Sequence, residues 1–92
     1  SRNSKLIDIY DILIKKGVKV DVYDPLAIQS ELNKYKIILS SFTYVNKNKY
    51  DCIIVGVSHN EFKIINIKDL LRNNKSIVFD IKGTYKDKFE RL

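Results

Sequence analysis

Between Ser4 and Lys16 the apolar side chains Leu6, Ile9, Tyr10, Leu13 and Ile14 recur three or four positions apart, with polar residues filling the gaps. That period draws one stripe along a helix. Ser4 is suited to the helix start, Lys15 and Lys16 to the negative end of the helix dipole, and Gly17 to the left-handed position just past a helix end. Beyond Gly17 the period changes to two. Val18, Val20 and Val22 alternate with Lys19 and Asp21, the pattern of a strand with two unlike faces. Asp24-Pro25 ends it, because proline has no N–H to give to a ladder. Ile28, Leu32 and Tyr35 predict a short second helix, Ile37 to Leu39 a brief edge strand, and Ser40 to Asn48 a loop holding at most one turn of helix.

The second half has a different texture. Cys52-Ile53-Ile54-Val55-Gly56-Val57 is apolar on both parities, as expected of a parallel strand covered on both faces. Ser58 and Glu61 stand at capping-box spacing and predict a helical turn. Ile67, Leu70 and Leu71 mark another short helix, with Asn66 as its cap and Asn73-Asn74 as its stop. Ile77 to Ile81 is the last strand, ending at Lys82-Gly83. Strands alternating with helices predict an α/β fold: a Rossmann-like, three-layer domain with a mainly parallel sheet. The order opens on a helix, whereas such folds open on the strand that feeds it. The expectation is therefore a sheet apparently lacking its first strand.

Composition narrows this only a little. Ninety-two residues with 45% hydrophobic and 30% charged side chains fit one modest globular domain, taken here as residues 1–92. No apolar run approaches the roughly 18 residues of a membrane span, and no signal-peptide pattern opens the chain. The single Cys52 cannot form an internal disulfide, which fits a reducing cytosol. A net charge of +6 raises the question of nucleic acid. The cations are nearly all lysines, scattered except around Lys47 and Lys49. A nucleic-acid reader would favour clustered arginine among aromatic platforms, so a solvated surface is the preferred reading.

Candidate chemistry is sparse. No G-x-G-x-x-G is present, and Gly17, Gly56 and Gly83 lie far apart, so the chain is not expected to bind NAD alone. Asp24 ends a strand where many Rossmann domains hold a ribose; followed by Pro25, it fits a turn residue better. Cys52, inside an apolar strand with no histidine near it in sequence, fits a buried structural thiol better than a nucleophile. His59, the only histidine, falls at the carboxyl end of the central strand, where ligands bind in open α/β sheets, yet alone it makes no metal site. Helix-entry structure is its plainer role. Arg2 stands just before a helix start, a position suited to phosphate, although a terminal arginine is more often simply solvated. Lys82 follows a strand end and could reach the same edge; composition alone makes it a surface lysine.

Taken in order, several strings carry a resemblance. Arg2-Asn3-Ser4-Lys5 with Ile7-Asp8-Ile9 resembles the Arg-x-Ser helix start of the UDP-glucose/GDP-mannose dehydrogenase family. Val20-Asp21-Val22-Tyr23-Asp24-Pro25 is similar to its strand-to-Asp-Pro turn. Tyr50-Asp51-Cys52-Ile53-Ile54-Val55, then Ser58-His59-Asn60-Glu61-Phe62, resemble its Tyr-Asp strand and His-x-Glu-Phe continuation. Phe79-Asp80-Ile81-Lys82-Gly83 and Arg91-Leu92 resemble its last strand and tail.

The resemblance implies the C-terminal UDP-sugar-binding domain of a longer, homodimeric, cytoplasmic enzyme that supplies uronic acids for surface polysaccharide. Such enzymes oxidise a sugar C6 hydroxyl to a carboxylate in two NAD-dependent steps, through a Cys-bound thiohemiacetal and thioester. Their N-terminal domain holds NAD and their middle segment makes the dimer. By the resemblance, Arg2 would contact NAD in the assembled enzyme and Lys82 would contact the substrate, where many members place Arg. Lysine keeps the charge and loses the bidentate fork. The catalytic Cys, its base, the NAD fingerprint and the Phe-Lys motif upstream of Arg2 are absent from this sequence, so the chain alone is expected to be inactive. The His-x-Glu-Phe and Asp-x-Lys-Gly variants look more like members acting on UDP-N-acetylhexosamines. The rival from another class is a small basic α/β module that binds protein or nucleic acid; a continuous Lys and Arg stripe on one face would favour it.

Overall fold

A computed structural model of the chain describes residues 4–56 and 66–81. The described elements are α1 (Ser4–Lys15), α2 (Gln29–Leu32) with a 3-10 turn (Asn33–Tyr35), α3 (Phe42–Lys47), β1 (Cys52–Val55), α4 (Ile67–Leu70) and β2 (Ile77–Asp80). The chain divides into two compact units, Ser1–Phe42 and Thr43–Leu92.

In the first unit, α1 forms where the apolar period predicts it. Ser4 is its first described helical residue, and the residues before it lie outside the described ones. Leu6, Ile9, Tyr10 and Leu13 are half-buried. Ile14, at the margin of the stripe, is exposed. The helix stops through both bonds of a Schellman motif: Gly17 N–H donates to Ile14 O at 3.0 Å, and Val18 N–H to Leu13 O at 3.0 Å. Gly17 supplies the left-handed residue that the motif needs, at φ 81°.

This stop has a cost downstream. The expected strand from Val18 to Val22 contracts to a single parallel bridge, Val22 with Leu39. Val18 has spent its N–H on the helix end and lies exposed, so pairing begins only after it. The expected edge strand from Ile37 to Leu39 shrinks with it. Among the described residues of this unit, Ile37 is nevertheless the buried apolar one. The expected helix around Ile28 to Tyr35 is α2 followed by the 3-10 turn, closed by Lys36 in the left-handed region at φ 60°.

Gln29 closes the outer edge of this bridge. Ser40 N–H donates to Val22 O at 2.7 Å, so the alternation of backbone groups turns Leu39 N–H and Ile37 C=O the other way. There the Gln29 side chain meets both: Leu39 N–H donates to Oε1 at 2.8 Å, and Nε2 donates to Ile37 O at 2.7 Å. A side-chain amide thus stands in for one rung of a neighbouring strand. Tyr23 and Phe42 stack obliquely at 6.0 Å.

In the second unit, the segment expected to be mostly loop contains the six-residue helix α3, with Val45 buried. β1 and β2 pair in parallel, Cys52 opposite Ile77 through Val55 opposite Asp80. Parallel neighbours require a crossover, and α4 lies within it. Asn66 caps α4, its Oδ1 accepting from Lys68 N–H at 3.2 Å. The helix ends at Leu70, earlier than the expected stop at Asn73-Asn74. Leu71 turns extended and bridges Tyr50, with Tyr50 N–H donating to Leu70 O and Arg72 N–H to Tyr50 O. Val45, Val55, Ile67, Leu70 and Val78 form the buried apolar core. The fold class is therefore α/β with parallel pairing, as the alternating pattern predicts. No helix among the described residues is long and apolar enough to cross a membrane.

Candidate ligand-binding edge

The β1–β2 pair has unlike ends. At the amino end Cys52 and Ile77 are exposed; at the carboxyl end Val55, Gly56 and Asp80 are buried. The apolar run predicts that β1 is covered on both faces throughout. Coverage instead grows along the strand, with Ile53 and Ile54 half-buried between the two extremes. Ile81 N–H donates to Val55 O at 3.0 Å and extends the pairing one step past β2. The chain therefore leaves both strands from one well-anchored edge, the edge where open α/β sheets collect ligands.

Asp80 is the residue that sequence reasoning missed. It is 1% exposed and is the buried charged residue of the described core. A carboxylate can be taken from water only if protein donors replace the lost hydration. The signal available in the sequence was a carboxylate closing the apolar run Ile77-Val78-Phe79, where an exposed strand end would ordinarily be assumed.

The other candidates sort themselves by geometry. Asp24 acts as a turn residue: Leu26 N–H donates to its Oδ1 at 2.9 Å, and Ala27 N–H to its backbone oxygen. Cys52 is exposed rather than buried, because it opens β1 at the uncovered end of the pair. Local desolvation nevertheless pushes its thiol above the ordinary range, opposite to what a nucleophile needs. Arg2, His59, the Ser58–Glu61 capping box and Lys82 lie outside the described residues. For Lys82, the described part is the strand that leads to it.

Near the amino end of the pair, Lys49 and Arg72 are both engaged. Arg72 Nε bonds Asp51 Oδ1 at 2.8 Å and its Nη2 reaches Lys49 O, while Lys49 Nζ donates to Asp69 O. The Arg72–Asp51 pair is exposed on both sides, so it contributes little to stability.

Parallel strands joined through a helical crossover, with the chain departing from their carboxyl ends, define an α/β domain. The chain belongs to the UDP-glucose/GDP-mannose dehydrogenase family, whose UDP binding domain matches residues 1–87. It is 36% identical over 84 residues to the UDP-N-acetyl-D-glucosamine 6-dehydrogenase of Salmonella typhi, and 30% identical over 84 residues to that of Pseudomonas aeruginosa. Each alignment covers 88% of this chain and 19% of the relative. The chain thus spans about a fifth of the length of these curated relatives. No solved structure matches it.

Proposed function

We propose that residues 1–92 serve as the C-terminal UDP-sugar-binding domain of an NAD-dependent UDP-sugar 6-dehydrogenase. In this reading the whole enzyme is a cytoplasmic homodimer that oxidises the sugar C6 hydroxyl to a carboxylate for surface polysaccharide. Its substrate is a UDP-N-acetylhexosamine, in keeping with the names of both relatives. The observation that carries the proposal is the match to the family's UDP binding domain over residues 1–87. The anchored carboxyl edge of β1 and β2, one residue before Lys82, is the structural feature that agrees with it.

The domain's part is to bind the nucleotide, remote from the reacting carbon. Binding energy gained there orients C6 against the cofactor in the complete enzyme. Lys82 supplies positive charge for the diphosphate, as a compact point charge without arginine's paired donors. NAD is the hydride acceptor in this scheme, and the described residues do not fit it as a resident group. Gly17 ends a helix and Gly56 follows a strand, with no glycine-rich turn opening a helix among the described residues. Arg2 is assigned a contact to NAD within the complete enzyme only. The chain alone is inactive, and it engages neither nucleic acid nor membrane.

Two experiments test this. UDP titrated into the chain, followed through its backbone amide signals, is expected to bind weakly at best, because the rest of the site lies in the other domains; shifts centred away from Val55, Gly56 and Ile81 would sink the proposal. In the full-length enzyme, Arg2→Ala is expected to raise the KM for NAD, and unchanged kinetics would remove Arg2 from the site.

A further inference from the structure

We propose that the open edge of β1, at Cys52 and Ile54, docks an extended strand supplied by the part of the enzyme beyond residues 1–92. The inference rests on reading this chain as one domain of a longer dehydrogenase, and it names the partner of a surface that reading leaves unassigned. Ile77 N–H donates to Asp51 O at 2.9 Å and Ile81 N–H to Val55 O at 3.0 Å, in an unbroken register. Backbone groups alternate along a strand, so Asp51, Ile53 and Val55 turn toward β2. Cys52 and Ile54 therefore present N–H and C=O to the opposite edge. Among the described residues no strand lies there: the sheet holds β1 and β2, and the Leu71 bridge reaches Tyr50 and no further. An edge meant for solvent is ordinarily blunted by lysine, proline or a bulge. Cys52-Ile53-Ile54-Val55 has none of these, and Ile53 and Ile54 are already half-buried. A two-stranded pair is also marginal by itself. The occupant follows from length. Each alignment covers 19% of the relative, so about four-fifths of such an enzyme lies outside this chain and can supply the strand. A strand on the same polypeptide docks at high effective concentration, which favours it over a separate partner. The docked strand is apolar on both faces, like the parallel strand it joins.

The test is hydrogen exchange at single amides, in the full-length enzyme and in residues 1–92 alone. In the chain alone, Cys52 and Ile54 are expected to exchange quickly, while Ile53 and Val55 are protected by β2. In the full-length enzyme Cys52 and Ile54 are expected to exchange at least about tenfold more slowly, the effect of one added hydrogen bond. Equal exchange of these two amides in both forms would overturn the docking. So would protection already present in the chain alone, which puts the occupant within residues 1–92 or, where it rises with concentration, in a second copy. If Ile53 and Val55 are themselves unprotected in the chain alone, the full-length enzyme decides: exchange at Cys52 and Ile54 as slow as at Ile53 supports the docking, and exchange about tenfold faster overturns it. Slowed exchange in a full-length protein that oxidises no UDP-N-acetylhexosamine leaves the docked edge standing and removes the dehydrogenase reading.

Discussion

Gln29 offers the sharpest test of how the first unit is held together. Its side chain makes two part-buried hydrogen bonds to the outer edge of the Ile37–Leu39 segment, at 2.7 and 2.8 Å, and an exposed one to Asn33 Oδ1 at 2.9 Å. Gln29→Met removes all three while keeping nearly the same length and volume. Each part-buried bond contributes about 1 kcal/mol, and the exposed bond little, so the loss should be about 2 kcal/mol. The effect should be local. Hydrogen exchange at the Leu39 amide is the assay, because that N–H donates directly to Gln29 Oε1. A loss of this size corresponds to roughly thirtyfold faster exchange at that amide. Ser40 N–H, bonded to Val22 O on the inner side, should speed up less. The uncapped edge also carries Ile38, which is 74% exposed, so the variant should associate more readily through strand pairing. Unchanged Leu39 protection in Gln29→Met would refute the edge-clamp argument.

Other outcomes rest on single features. Gly17→Ala should cost about 1–2 kcal/mol in a urea melt, entirely from the left-handed backbone, since an added Cβ would meet nothing within 4 Å; a neutral result would mean the Schellman stop is dispensable. Asn66→Ala should cost about 1 kcal/mol in the same melt, because the cap holds a one-turn helix whose Ile67 and Leu70 are both buried. The Cys52 thiol should react with iodoacetamide more slowly than a free thiol at neutral pH. Its folded pKa is raised, so the thiolate is scarcer than in the unfolded chain and the rate should climb only above the ordinary thiol range. A fast reaction at neutral pH would show that the thiol is not desolvated.

Periodicity alone determined a good deal. It specified α1 and its glycine stop, the cap at Asn66, the two apolar strands and the α/β class, because each rests on local chemistry that neighbouring residues complete. The order of weakly specific strings also sufficed to place the chain in its family. Other features belonged to tertiary structure, since they depend on groups distant in sequence. Val18 alternates like a strand residue, yet its N–H goes to Leu13 O and pairing waits until Val22. Leu71 carries a helical period, yet Tyr50 draws it into a bridge. Cys52 sits in an apolar run and is exposed, whereas Asp80 is charged and buried, because the parallel pair is covered at its carboxyl end and open at the other. Alternation shows which side chains share a face. How far along a strand that face is covered depends on what packs over it, and only the folded chain decides that.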